Sequence, residues 1–242
     1  MSLLPWQTAI IKETEQLTEH TRRFLFRVKD VDVFHFKPGQ FLTLDLPIHE
    51  RQSKRLRSYT IASAPKNTNE FELVVVELPE GKGSHYLFEQ CDISSEVQFR
   101  GPLGSFTIDD LTKDICLVCT GTGIAPFRSQ LHYLLKNDIK IPEIHLVFGT
   151  RYFKDILFLD EMMELEEQFP GFHYHLTLSR ETNENYKGDK GYVHPVYEKI
   201  CRQGKREMHF YLCGWRLMID EARKRIAAMG YDTKHVHLEL YG

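Results

Sequence analysis

The chain has 242 residues, 42% of them hydrophobic and 12% aromatic, with 31 basic against 34 acidic side chains and a formal net charge of −3. That length supports two ordinary domains with buried cores, and the charge balance excludes the basic field on which nucleic-acid binding depends. Five cysteines, an odd number in a chain of this length, argue against a disulfide framework.

The opening MSLLPWQTAIIKETEQ has no basic n-region and no long apolar core. No apolar run reaches the roughly 18 residues that span a bilayer, so a cytoplasmic protein without a membrane span is expected. Short strand-like runs then follow at 6–12, 22–28, 40–46, 57–63, 71–78 and 96–100. Lys37-Pro38-Gly39, Ala64-Pro65 and Gly101-Pro102 read as turns between them, and SHYLFEQ (84–90) as one brief helix. Many short, punctuated strands point to a closed antiparallel barrel over residues 1–108.

From about residue 113 the rhythm changes. The apolar runs ICLVC, IHLVFG, FHYHLTL, MHFYLCG and HVHLEL alternate with helical stretches at 126–136, 155–169, 195–203 and 215–230. Five strands with intervening helices predict an α/β Rossmann-like unit with a parallel five-stranded sheet over residues 109–242. In the last helix Leu217, Met218, Ala222, Ile226 and Met229 mark one apolar face, and Gly230 is its stop. The chain holds no internal repeat and no low-complexity segment.

Three groups of residues carry chemistry. Thr120-Gly121-Thr122-Gly123 ends the first parallel strand, and Pro126 fits the first turn of the next helix. Such a loop brings backbone N–H groups to a pyrophosphate, although by itself it equally fits a tight turn without a ligand. In KRLRSYTIAS, Arg57 and Tyr59 share one strand face, with Ser58 and Thr60 on the other. Arginine offers a planar fork to phosphate and tyrosine a flat face to a ring. Gly83-Ser84 opens the brief helix, a second anion-binding terminus.

Other clusters carry less. Cys116 and Cys119 lie three apart on a strand, point to opposite faces and cannot share a metal. His173/His175 and His235/His237 could each face one way, but a third ligand is missing, so they read as sheet residues and no metal site is expected. Arg22, Arg23, Arg51, Lys54 and Arg55 form a basic cluster that reads as a solvated face or as a docking face for an acidic partner.

Taken together, R-x-Y-T at 57–60, Gly83-Ser84, GPLGSF, GTGIAP, Cys213-Gly214-x-x-x-Met218 and the tail HLELYG occur in one order. In that order the chain resembles the ferredoxin–NADP reductase family over nearly its whole length. The resemblance implies FAD, with Arg57 on its pyrophosphate, Tyr59 against the ring and ribityl chain, Thr60 near N5, and Gly83 and Ser84 on the pyrophosphate from the other side. Here FMN is the alternative. It also implies NADP on the 120–126 loop, with Ser179, Arg180, Lys190 and Tyr192 at the 2′-phosphate and NAD as the alternative. The nicotinamide would meet Thr120, Cys213, Glu239 and Tyr241, Tyr241 stacking on the flavin ring as a gate, although Gly242 follows it. Cys213 also fits a buried thiol without a function, and Tyr241 a frayed end. The implied activity is hydride exchange between NADPH and FAD, with single electrons passing to a separate ferredoxin or flavodoxin, since the sequence has no iron–sulfur cysteine cluster. The alternatives are a flavin or quinone reductase and a non-catalytic FAD-binding electron-transfer subunit. Neither the oligomeric state nor the direction of electron flow is legible.

Overall fold

The computed structural model describes residues 4–137, 139, 143–202 and 207–241. By internal contacts the chain divides into two compact units. One runs through Thr107 and takes in Ala125–Tyr133; the other comprises Ile108–Ile124 and the chain from Leu134 on.

Six antiparallel strands build the first unit: β1 Gln7–Thr18, β2 Thr21–Val28, β3 Phe41–Asp45, β4 Leu56–Thr60, β5 Glu70–Val76 and β6 Glu96–Leu103, in the order β4-β3-β6-β1-β2-β5. The two outer strands meet through a bridge between Ile61 and Leu73, and Ala62 N donates to Glu72 O at 2.8 Å, which closes the barrel. Closure removes the exposed strand edges that an open sheet would present. Alternation supplies the core. Phe24, Phe26 and Val28 of β2 are buried, as are Leu42 and Leu44 of β3. Phe26 stacks on Phe71 at 5.2 Å, and Phe34 meets Phe99 edge-on at 5.6 Å. Arg100 covers the indole of Trp6 at 4.3 Å from the ring centre. Gly101-Pro102 is not a turn after a strand: both residues lie within β6, joined by a cis peptide, beside a register shift of β3 where a proline is tolerated. Helix α1 (Lys82–Glu89) is the expected brief helix.

Glu72 joins this barrel to the first turns of helix α2 (Ala125–Lys136). Its carboxylate accepts from Arg128 Nη1 at 2.6 Å and from Arg23 Nη1 at 3.1 Å. Arg128 also donates to Ala62 O at 3.1 Å, Ser129 Oγ to Ser63 O at 2.6 Å, and Gln130 Nε2 to Phe106 O at 2.6 Å.

The second unit is a parallel sheet of six strands rather than five: β7 Asp114–Thr120, β8 Ile144–Thr150, β9 Phe172–Leu178, β10 Asp189–Lys190, β11 Met208–Trp215 and β12 Val236–Tyr241, in the order β10-β9-β8-β7-β11-β12. The additional strand, β10, is two exposed residues long and pairs with the end of β9, so no apolar run announces it. β7, β8 and β11 are nearly continuous buried runs, as a sheet covered on both faces requires. The order reverses between β7 and β11, which opens a crevice beyond their C-terminal ends.

Helix α3 covers Leu159–Gln168, shorter than the expected 155–169 because Phe158 adopts a left-handed conformation (φ 57°) and stops it. Helix α4 spans Val193–Arg202 and α5 spans Arg216–Ala228, both packed on a core that includes Cys116, Val147, Phe210 and Leu212. In α5 the buried residues are Ile219, Ala222 and Ile226, flanked by Met218 and Met229. Leu217 was expected on that face but is 84% exposed, since it precedes Ala222 by five residues while Met218 and Ile219 precede it by four and three. Gly230 ends the helix at φ 91°. No helix among the described residues is long and apolar enough to cross a membrane.

Replacing Glu72 by glutamine should lower the stability of the barrel by about 3 kcal/mol, because the mostly buried Arg128 guanidinium loses this counter-charge, while Arg23 keeps Glu13 and Glu15. Urea unfolding checks this; an unchanged midpoint would show that the two pairs contribute nothing.

Candidate functional site

In the barrel unit, Arg57 and Tyr59 lie opposite Leu44 and Leu42 of β3 and share a face of β4. Ser58 points away, its hydroxyl 3.2 Å from Thr43 Oγ1, and Thr60 is buried. Tyr59 packs against the barrel core, where burial pushes its hydroxyl up to about 12, opposed by the Arg57 guanidinium, so at neutral pH it is an uncharged phenol. Arg57 Nη1 donates to Leu56 O at 2.7 Å and to Lys54 O at 3.1 Å, which fixes the guanidinium.

Gly83 lies directly under that side chain: a Cβ there would stand 2.8 Å from Arg57 Cγ and 3.2 Å from its Nε. Two motifs 26 positions apart in sequence are thereby brought into contact. Helix α1 begins at this point with no side-chain cap and no acidic residue in its first turn. Its first N–H groups have no partner within the helix, the arrangement that favours an anion. The Ser84 hydroxyl serves the local backbone instead, donating to Gly81 O at 2.9 Å and accepting from Leu78 N at 3.1 Å. Its main-chain N–H lies in the first turn of the helix. A cradle that accepts no Cβ, an arginine held beside it and a helix terminus together fit a pyrophosphate.

The docking face expected from five cations does not form. Arg23 is taken up by Glu13, Glu15 and Glu72, and Arg55 Nε lies 2.6 Å from Asp45 Oδ1. Arg22 donates to Phe88 O and covers the Phe88 ring at 4.4 Å. Arg51 and Lys54 stay exposed. Cross-strand pairing, invisible in a linear charge count, disperses the cluster.

In the sheet unit, Gly121–Ile124 form a single 3₁₀ turn between β7 and α2, at the reversal of strand order, with Pro126 in the first turn of α2. A Cβ on Gly123 would stand 2.4 Å from Cys213 O, and one on Gly214 2.6 Å from Thr120 Oγ1. Loop and strand end therefore meet backbone to backbone. Met218 Cε lies 3.3 Å from the Cβ position of Gly214. Thr122 is half-buried beside them. The Thr120 hydroxyl is buried and has no hydrogen-bond partner among the described residues. A polar group left in this state favours a ligand that can pair with it.

Cys213 pairs in register with Cys119 on one side and Glu239 on the other. Burial pushes its thiol well above the ordinary range, Glu239 and Cys119 add to the rise, and the Tyr241 hydroxyl offsets part of it. A thiol held protonated is no nucleophile; it can shape and contact a ligand. Thr120, Cys213, Glu239 and Tyr241 thus come together at one edge of the sheet. Gly242 lies outside the described residues.

Ser179 follows β9 directly, donating its hydroxyl to Thr150 O at 3.2 Å, and Arg180 N donates to Arg151 O at 2.9 Å. Lys190 lies in β10 opposite Leu178, its ammonium donating to Asn183 O at 3.2 Å, and Tyr192 is 74% exposed. Arg180 and Lys190 therefore border one rim, and Arg151, whose carbonyl accepts from Arg180 N, is a further cation beside them. Glu181 is held below the ordinary carboxylate range by the Phe153 and Asn183 backbone N–H groups, with Lys190 contributing. All five cysteines are free and buried, and no group of three or more metal-ligating side chains is placed to hold an ion among the described residues.

Both halves of the chain match known protein families. Residues 8–108 match the oxidoreductase FAD-binding domain family and residues 117–224 the oxidoreductase NAD-binding domain family. The chain is 32% identical over 232 residues to ferredoxin–NADP reductase B of Sorangium cellulosum, covering 93% of each protein. It is 29% identical to the glycine betaine monooxygenase reductase subunit of Chromohalobacter salexigens and 27% identical to the toluate 1,2-dioxygenase electron transfer component of Pseudomonas putida. It spans 62% and 67% of their lengths, respectively. The fold matches a ferredoxin–NADP⁺ reductase of Neisseria gonorrhoeae with a TM-score of 0.79, at 20% identity and 99% coverage of both chains.

Gly123→Ala should cost about 2 kcal/mol, as overpacking against immobile backbone does. Gly121→Ala meets no atom within 4 Å and bears only the strain of its positive φ, about 1 kcal/mol. Equal losses in denaturant unfolding would contradict the backbone contact.

Proposed function

Because the chain belongs to the ferredoxin–NADP reductase family, we propose that it oxidises NADPH through bound FAD and passes electrons singly to a separate carrier resembling ferredoxin or flavodoxin. The observation that carries this reading is the meeting of Thr120 and Gly123 with Cys213 and Gly214 where strand order reverses, with Glu239 and Tyr241 at the same edge. Residues 1–108 are assigned to the flavin and 109–242 to the nicotinamide. Five free thiols suit a reducing compartment, which supports a cytoplasmic setting.

When bound, the nicotinamide and flavin would supply the transfer of an electron pair and its division into single electrons. The protein's part is to bind and orient. Arg57 and the first N–H groups of α1 would hold the FAD pyrophosphate, while Tyr59 and Thr60 line the ring beside it. The Thr120 hydroxyl, otherwise unpaired, would take a hydrogen bond from a carboxamide or give one to it. Cys213 would bound the nicotinamide face as a neutral thiol. Tyr241 would stand beside the nicotinamide at the edge that carries Cys213 and Glu239. Ser179, Arg180, Lys190 and Tyr192 would receive the 2′-phosphate and adenine, two cations supplying the charge that a phosphomonoester needs.

Anaerobic titration of the flavin band should show bleaching by near-stoichiometric NADPH and slower bleaching by NADH. Arg180→Ala and Lys190→Ala should each raise KM for NADPH about tenfold to a hundredfold, the value of one charged hydrogen bond, and leave KM for NADH nearly unchanged. Bleaching by NADH alone would overturn the NADP assignment. A flavin that neither nucleotide reduces would favour a non-catalytic subunit.

A further inference from the structure

His235 and His237 are close neighbours in sequence. In the structure His237 faces another strand. His209, buried near the start of β11, has Nε2 3.0 Å from Asp110 Oδ2 and Nδ1 3.2 Å from His237 Nε2. The His237 ring lies flat on Tyr211 at 4.4 Å and 16°, and the His235 ring stands edge-on to His209 at 4.7 Å. β12 is the outermost strand on its side of the sheet and pairs with β11 alone. It carries Glu239 and Tyr241, two and four residues beyond His237.

Proton positions follow from the partners. Asp110 is ionised, held down to about 2 by the Thr112 hydroxyl and backbone N–H, with His209 adding to the effect. His209 Nε2 therefore carries a proton and donates it to Asp110. Its Nδ1 is left as an acceptor, and His237 Nε2–H donates to it. A first proton from solvent is accommodated by the pair, because one of the two facing nitrogens still donates and the other still accepts. A second proton puts N–H groups on both facing nitrogens. No lone pair then remains between them, and two cations stand face to face.

We infer that the chain Asp110–His209–His237 is a latch that holds β12 with one proton but not with two, so that acid releases the strand bearing Glu239 and Tyr241. The consequence for catalysis rests on the placement of those two residues at the nicotinamide; the release of the strand does not.

The groups around the latch agree with this direction. His237 is faced by His209 and Tyr211 from β11, by His235 from the turn before its strand, and by Asp109 from the segment before β7, whereas Asp110 stands on His209. Around His235 stand Lys113, Asp232 and Lys234. Burial, then His209 and His235, hold His237 below the ordinary histidine range, with Asp109 opposing. A detached strand leaves His237 with its ordinary affinity, near pH 6.5. The detached form then binds more protons than the attached form, so attachment weakens as pH falls below about 6.5, by up to about tenfold per pH unit for one proton.

The test is hydrogen–deuterium exchange of the full chain between about pH 8 and pH 5, corrected for intrinsic exchange chemistry. Amides of 236–241 should exchange faster with acid, approaching tenfold per unit, while those of central strand β7 stay level. His237→Gln, which keeps a donor and an acceptor but cannot ionise, should flatten the dependence; His209→Gln provides the same comparison should the first variant not fold. A level wild-type profile, or an unaltered rise in the variants, would overturn the latch. NADPH–ferricyanide turnover supplies the second arm: kcat should fall in parallel with strand release in the wild type and lose that dependence in His237→Gln. Release without a fall in kcat would overturn the link to Glu239 and Tyr241. Absence of NADPH turnover at every pH would defeat the proposed function alone, because the exchange arm needs no cofactor.

Discussion

Two peptide segments brought into close approach by glycines set the terms for the sheet unit. Gly123 lies on the Cys213 carbonyl, and Gly214 lies on the Thr120 hydroxyl. Each contact is closer than any Cβ allows, so both residues must be glycine for the turn after β7 to rest on the end of β11. Because these are the two strands where sheet order reverses, the contact fixes the floor of the crevice. It also buries the Thr120 hydroxyl without a partner and brings Cys213 between Cys119 and Glu239. One close approach thus decides the position of the loop, the environment of the thiol and the polarity of the edge.

The barrel unit uses contact of a different kind. Its strands close on themselves by backbone hydrogen bonds, and its charges are matched across strands. Glu72 alone answers two arginines, one on β2 and one on α2. Among the described residues Arg57 has no such pairing: its guanidinium donates to the Leu56 and Lys54 carbonyls, and its stem rests on Gly83. An arginine whose hydrogen bonds go to neutral acceptors keeps its charge available to an anion, which a salt-bridged arginine does not.

Much of this was legible in the chain itself. The change from two-residue alternation to buried apolar runs separated barrel from sheet, and glycine spacing located the crevice. What escaped notice depends on register. β10 has no apolar residue to announce it, being held by its pairing with Thr177 and Leu178. Leu217 satisfied a hydrophobic pattern but fell one step outside the arc that faces the core. Arg22, Arg23 and Arg55 looked like a cluster until Glu13, Glu15, Asp45 and Phe88 were brought beside them. The histidines of β8 and β11 drew no attention singly, yet each lies within 3.2 Å of a histidine on the neighbouring strand. Local periodicity reports which face a residue takes; it cannot report who stands opposite.

The chain contains two tryptophans, and the units divide them. Trp6 lies beneath the Arg100 guanidinium in the barrel unit, whereas Trp215 ends β11, half-exposed and in register with Tyr241. A ring covered by a cation and a ring in water emit differently, so intrinsic fluorescence carries two separable signals. Each unit holds its own optical reporter, and the one in the sheet stands beside the last residue of β12, where movement of that strand would alter its emission without any label.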